Sequence, residues 1–300
     1  MSFSSPSGIA SSLPAHCRLV DGVNGLKALE IMGPKAEALI YLQGAHITHW
    51  KPAGAEPVLF VSRQSHFAAG KAIRGGVPVC FPWFANRIGH PESPAHGFVR
   101  TAEWLLESVS SEADGSITAQ LEFVDSDATR AQWPHRFRAI YRITVGATLK
   151  MEFEVENTGR EPLTYEAALH TYFRVSNAGD VAITGLQGAE YIDKVDGFTR
   201  KRLGNEPLRF TGETDCVFVN TTATTRLADR GLNRTIVVEK SGSDTTVVWN
   251  PWIAKAKAMA DFGDDEWPGM ACIETANSGE NSITLAPGRR HSMIARIRLE

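Results

Sequence analysis

Apolar and polar residues alternate along most of this chain with a period of two. In "MEFEVEN" (151–157), Met151, Phe153 and Val155 alternate with Glu152, Glu154 and Glu156. Side chains two apart leave a strand on the same face, so the stretch predicts an antiparallel strand with one face on a core and one in water. The same period runs through "ITAQLEFV" (117–124), "RAIYRITV" (138–145), "SMIARIRLE" (292–300), "ALIYLQGAHITHW" (38–50) and "TTVVWNPW" (245–252). Turn signals such as "NTG", "DG" and "PG" fall between such runs. Helical periodicity is scarce; the candidate is "SDATRAQW" (126–133), where Ser126 or Asp127 caps a turn or two before Pro134. Strands without intervening helices exclude a doubly wound sheet and predict an all-β sandwich or barrel. No internal repeat or interdomain linker interrupts the pattern. The Ser/Gly/Pro-rich start predicts a flexible N-terminal tail over residues 1–15, ahead of a single domain over 16–300.

Two segments depart from this rhythm. In "ALHTYFRVSN" (168–177), Leu169, Thr171, Phe173 and Val175 form an apolar face, while His170, Tyr172 and Arg174 share the other. A solvent face rarely mixes imidazole, phenol and guanidinium; the floor of a cleft does. The second is residues 68–100, long, rich in Gly and Pro, and carrying Arg74, Arg87, His96 and Arg100 beside Phe81, Trp83 and Phe84. A loop of that length in a compact domain is usually functional or disordered, and the aromatics predict order.

Composition narrows the classes. Of 300 residues, 43% are hydrophobic and 22% charged, and the formal net charge is −3. That is the make-up of a globular protein with a real core. It argues against a nucleic-acid binder, which shows a basic face. Cys17, Cys80, Cys216 and Cys272 are widely spaced and form no C-x-x-C, so reduced thiols are expected. The first residues lack a charged, apolar leader, and no run has the ~18 apolar residues of a membrane span. The expectation is a cytoplasmic protein with no membrane and no nucleic-acid partner; protein partners stay unknown.

Familiar cofactor and metal motifs are missing. "GKAIRGG" fails the phosphate-loop pattern, since Ser65 and Ala72 occupy the positions that require Gly and a hydroxyl. His46 and His49 of "HITH" are three apart, which on a strand points them to opposite faces. What remains are isolated candidates. His170 carries the side chain whose pKa lies nearest neutrality, suited to moving protons; alternatively it is a solvent-facing strand histidine. Glu274, alone among small and apolar neighbours in "MACIETAN", is either a carboxylate made more basic by dryness or a charge guarding an edge strand. Arg74, before two glycines in "IRGGVP", and Arg100, closing "HGFVR", suggest together an anionic small ligand. Asp215 in "ETDCVFVN" could bind hydroxyls or end a turn.

The segments "IRGGVPVCFPWF", "AHGFVR", "ALHTYFRVSN", "ETDCVF", "WNPW" and "CIETA", in this order, closely resemble the glucose-6-phosphate 1-epimerases of the aldose 1-epimerase superfamily. The resemblance runs from about residue 20 to the C-terminus. It implies the large antiparallel two-sheet β-supersandwich of galactose mutarotase-like proteins. It also implies that His170 and Glu274 are catalytic, that Arg74 and Arg100 bind phosphate and sugar, and that Asp215 holds sugar hydroxyls. His96, of the "HG" pair, is implied to line the same pocket. Ala95 departs from relatives that carry glutamine before that pair, which puts one polar sugar contact in question.

A mutarotase opens the sugar ring to the aldehyde, lets it turn, and closes it again. Two protons move, with no redox change or group transfer, so neither cofactor nor metal is required. Glu274 is expected to act as base and His170 as acid for opening, with the roles reversed on closure, while Arg74 and Arg100 hold the phosphate of the sugar. Alternatives are a mutarotase for unphosphorylated aldoses such as galactose, and a non-catalytic carbohydrate-binding or sensing protein on the same fold. A glycosidase would need two suitably spaced carboxylates, and the His–Glu pairing fits it less well.

Overall fold

A computed structural model describes residues 13–300 of the chain. The expected tail, residues 1–15, lies outside the described residues except for its last three.

The alternating stretches form strands, and antiparallel pairing between them assembles two eight-stranded sheets. One is built around Phe137–Val145, Leu149–Asn157 and Arg290–Leu299. Met151, Phe153 and Val155 of its central strand point into the core. The glutamates on its outer face meet cations from neighbouring strands, Arg142 on Glu152 and Arg290 on Glu156, each at 3.1 Å. Such partly exposed pairs are worth well under ~1 kcal/mol each, so they favour register more than stability. The other sheet runs in the order Thr199–Arg202, Glu190–Asp193, Thr214–Phe218, Thr245–Asn250, Met270–Asn277, Ala167–Leu169 and Val79–Cys80, with Tyr172–Arg174 also paired to Met270–Asn277. A four-stranded meander from Cys17 to Pro52 packs onto the same core.

Tyr141, Phe153 and Met293 from the first sheet share one apolar cluster with Phe173, Val248 and Ile273 from the second. The second sheet is apolar on its other face too. Ala168, Val217, Val247 and Ala276 gather there with Cys80, and Tyr172, Trp249 and Cys272 gather with Phe262. All eight residues of Met270–Asn277 are therefore buried, and the floor on which a site can be built is dry.

The capped helix appears at Asp127–Gln132. Ser126 is its cap: its Oγ accepts from the Thr129 amide, while the Thr129 hydroxyl accepts from the Ser126 amide. A second helix, Trp252–Ala258, was not expected. The strand read through "TTVVWNPW" stops at Asn250. The Asn250 amide donates to the carbonyls of Trp267 and Met270, at 2.9 and 2.8 Å, and its oxygen accepts from the Trp252 amide at 2.9 Å. These bonds turn the chain out of the sheet and start the helix.

The 68–100 segment is ordered by contact with the strands beneath it. The two glycines after Arg74 serve the protein's own backbone rather than a ligand's approach. A Cβ on Gly76, at φ +62°, would lie 2.2 Å from the Ile47 carbonyl oxygen. The amides of Arg74, Gly76 and Val77 already donate to Ser65 Oγ, the Phe60 carbonyl and the Ile47 carbonyl. Those three amides are thus not available to cradle an anion, as the "RGG" turn had suggested.

Candidate active site

"ALHTYFRVSN" is not one continuous strand. Ala167–Leu169 and Tyr172–Arg174 both pair with Met270–Asn277, and the ladder opens between them. There the His170 amide donates to the Pro78 carbonyl at 3.0 Å, and the Thr171 amide folds back on the Leu169 carbonyl at 2.9 Å. The register is nevertheless kept. Leu169 pairs with Thr275 and Tyr172 with Cys272, so the two residues between them on each strand face one another: His170 lies opposite Glu274. Opposed side chains on neighbouring strands touch. His170 Nε2 stands 3.3 Å from Glu274 Oε1.

Both groups are buried, His170 at 7% and Glu274 at 1% exposure. Both line a cavity of about 1000 Å³, at the upper end of the ~300–1000 Å³ usual for small-molecule sites. Burial holds His170 well below the usual imidazole value, and the nearby Arg74 and Arg100 lower it further. Burial drives Glu274 well above the usual carboxylate range, with the Asp215 charge adding to the effect. Both shifts disfavour charge: burial favours the neutral imidazole and makes the Glu274 carboxylate more basic. Such a pair can give a proton at one atom and take one at another within the same small volume.

Tyr172 stacks on His170, with ring centroids 4.8 Å apart and planes 12° from parallel, and Trp249 meets the same imidazole edge-on. The Tyr172 hydroxyl accepts from Arg74 Nη1 at 3.1 Å, and Arg74 also meets Asp261 at 3.1 Å. Burial opposes the Arg74 cation, but Tyr172 and Asp261 outweigh it and raise its pKa above the ordinary guanidinium value. Arg174, the third polar residue of the alternation, is exposed and absent from the cavity wall.

Arg100 is not among the residues that line the cavity. Its Nη2 donates to the Ala95 carbonyl at 2.7 Å, and its Nε is buried without a partner. Among the described residues no carboxylate comes within 4 Å of it. Burial lowers its pKa, and Arg74 lowers it further. Two guanidiniums thus lie close enough to repel one another, and only one has an acidic partner. His96 lines the cavity at φ +65°, edge-on to both Phe84 and His170. Asp215 also lines it, held by Lys194 Nζ at 3.0 Å. The structure therefore gathers His170, Glu274, Arg74, Asp215 and His96 on one cavity and sets Arg100 just outside.

Lys194 is the cavity residue that sequence reading missed most clearly. It follows the Glu190–Asp193 strand in a hairpin, where a lysine looks like ordinary surface. Only the pairing of Asp193 with Cys216 brings it beside Asp215. Lys255 was hidden with its helix, and it pairs with Glu213 at 2.9 Å. Arg87 lies 4.8 Å over the Trp83 ring. Among the described residues, the group whose donor atoms could together hold a metal is His170, Cys272 and Glu274.

Comparison with known proteins places the chain in a family. The family model for aldose 1-epimerase matches residues 27–298. A relative from Escherichia coli, whose name marks it as a candidate glucose-6-phosphate 1-epimerase, is 39% identical over 247 residues, which is 82% of this chain and 82% of the relative. One of the same name from Cenchrus ciliaris is 35% identical over 280 residues, covering 90% of this chain and 84% of its own length. The crystal structure of a candidate mutarotase from Salmonella typhimurium superposes with a TM-score of 0.86 at 31% identity, covering 94% of this chain and 96% of that one. A galactose mutarotase-like protein from Clostridium acetobutylicum, at 16% identity and a TM-score of 0.71 over 95% and 98% of the two chains, shares the fold.

Proposed function

The chain belongs to the aldose 1-epimerase family, and from that premise we propose that it interconverts the α and β anomers of D-hexose 6-phosphates, glucose 6-phosphate first among them. The observation that carries this reading is the 3.3 Å approach of His170 Nε2 and Glu274 Oε1 on the floor of the cavity. Ring opening needs proton transfer at two oxygens of the same carbon, the anomeric hydroxyl and the ring oxygen. An acid–base pair in near contact suits two oxygens bonded to one atom better than a widely separated pair would.

The pair takes a proton from the anomeric hydroxyl and gives one to the ring oxygen as the bond from the anomeric carbon to that oxygen breaks. The open aldehyde turns about its first carbon–carbon bond, and the reverse transfers close it on the other face. Burial first, and then the Arg74 and Arg100 charges, hold the His170 pKa low; a phosphate dianion beside Arg74 offsets part of that charge and favours the protonated imidazole. His170 becomes the acid and Glu274 the base for opening, and the roles exchange on closure. The bound sugar phosphate thereby prepares its own acid. Asp215 and Lys194, already bonded to one another, present an acceptor and a donor to the sugar hydroxyls.

One observation favours unphosphorylated aldoses instead: Arg74 already has Asp261 as a partner. Polarimetry on freshly dissolved α-glucose 6-phosphate and α-glucose separates the two readings. The proposal expects kcat/KM for the phosphate ester to exceed that for glucose by at least about tenfold, the worth of one charge-assisted hydrogen bond. Equal values, or a preference for glucose, would overturn the phosphate assignment.

A further inference from the structure

Acid–base chemistry at His170 and Glu274 leaves a third buried group on the same floor without a task. Cys272 lies two residues before Glu274 on the Met270–Asn277 strand, and so on the same face. One ring nitrogen of His170, the Cys272 sulfur and one Glu274 carboxylate oxygen all lie within 4.8 Å of one another. We propose that these three side chains bind a thiophilic divalent cation of the zinc class, reversibly and in place of the sugar.

The donor set selects the cation. Imidazole, thiolate and carboxylate are the ligands of a borderline-soft ion, whereas magnesium and calcium require six or more oxygens. With metal–ligand bonds of about 2.0–2.3 Å, a tetrahedral ion places its donors roughly 3.5 Å apart. His170 and Glu274 are already at 3.3 Å, and the sulfur need close by only about 1 Å to complete the set. Cys272 and Glu274 stand on one paired strand, and the His170 amide, bonded to the Pro78 carbonyl, holds the imidazole beside them. A separate observation points the same way: Glu274 Oε2 is buried and has no hydrogen-bond partner among the described residues. A carboxylate oxygen left unsatisfied in a dry place has much to gain from a cation. Since His170 and Glu274 line the cavity, the fourth coordination position opens into it. On binding, the thiol and carboxyl protons leave to solvent, and both members of the acid–base pair become ligands. The exclusion of sugar rests on the function proposed above; binding of the cation does not.

Cobalt(II) added to the intact chain tests this directly. We expect one equivalent to give visible bands of a tetrahedral site and a near-ultraviolet thiolate-to-cobalt charge-transfer band, both removed by added zinc. Cys272→Ser should abolish the charge-transfer band, while Cys80→Ser, a change at another buried thiol, should keep it. Absence of the band in the unaltered chain, or its survival in Cys272→Ser, would overturn the proposal. Should Cys272→Ser fail to fold, calorimetric zinc titration of Glu274→Gln and His170→Asn decides, with at least a tenfold loss of affinity expected in each and unchanged affinity contradicting the site. Zinc should also slow anomer exchange in the unaltered chain and much less in Cys272→Ser; equal inhibition of both would refute the overlap with sugar while leaving the substrate assignment untouched.

Discussion

A buried carboxyl beside a buried imidazole costs less when one proton serves both, and His170 and Glu274 are placed for that. Burial, and after it the Arg74 and Arg100 charges, disfavours the imidazolium form of His170. Arg74→Ala should raise KM for glucose 6-phosphate by roughly ten- to a hundredfold, about 1.5–3 kcal/mol, with little change for glucose. Equal losses on both sugars would remove the anchoring role. His46 gives a second prediction at this scale. Burial, reinforced by Arg100 and opposed by its hydrogen bond to the Gly75 carbonyl, brings its pKa down to about 4. Its folded value is therefore below the ordinary value of 6.5. The neutral ring stabilises the fold fully above pH 6.5, and that stability is lost as the pH falls toward 4, by about 3 kcal/mol in all. The stability difference between the unaltered chain and His46→Gln, from denaturant titrations, should shrink over that interval. A difference independent of pH would contradict it. Residue types marked His170, Glu274 and Arg74 in the sequence as chemically unusual for their surroundings. Lys194 and Asp261 carried no such mark, because a lysine in a hairpin and an aspartate in an acidic loop become site residues only through partners distant in sequence.

At the scale of elements, the alternating strands were legible because each buries one face and wets the other. The least legible ones are buried on both faces. Met270–Asn277 is wholly buried, so its sequence does not alternate in polarity, and Glu274 stands out only as an exception in it. The opening of the ladder at His170 was hidden for a related reason. Leu169 and Phe173 do belong to the main core and Tyr172 to the opposite face, as alternation requires, and the break falls between them without altering which way they point. The Trp252–Ala258 helix is short, and its start depends on the Asn250 side chain rather than on a periodic pattern. The loop that lines the cavity through residues 82–88, 95 and 96 depends on glycine in a way that can be tested. Gly97 sits at φ +73°, and a Cβ there would fall 1.8 Å from the Phe81 carbonyl oxygen. Gly97→Ala should destabilise the fold by roughly 3 kcal/mol or more, through positive-φ strain and displacement of the 81–84 segment. Thermal unfolding measures this; a melting temperature within a degree of the unaltered chain's would show that the loop yields without cost.

For the whole molecule, strand count and the scarcity of helices pointed to an all-β sandwich or barrel, and the two-sheet form was what the family resemblance implied; two eight-stranded sheets are observed. The meeting of His170 and Glu274 was not, because it depends on the register between Ala167–Leu169, Tyr172–Arg174 and Met270–Asn277, which no single segment specifies. Family resemblance implied their roles, and sheet register supplies the distance on which the proposed roles rest. The most direct test is magnetisation exchange between the α and β anomeric protons of glucose 6-phosphate, recorded by NMR at equilibrium for the unaltered chain, His170→Ala and Glu274→Gln. The unaltered chain should exchange the two signals faster than buffer does. Each variant, folded by circular dichroism, should lose at least about a hundredfold of that rate. Exchange at the unaltered rate in either folded variant would contradict proton transfer by this pair.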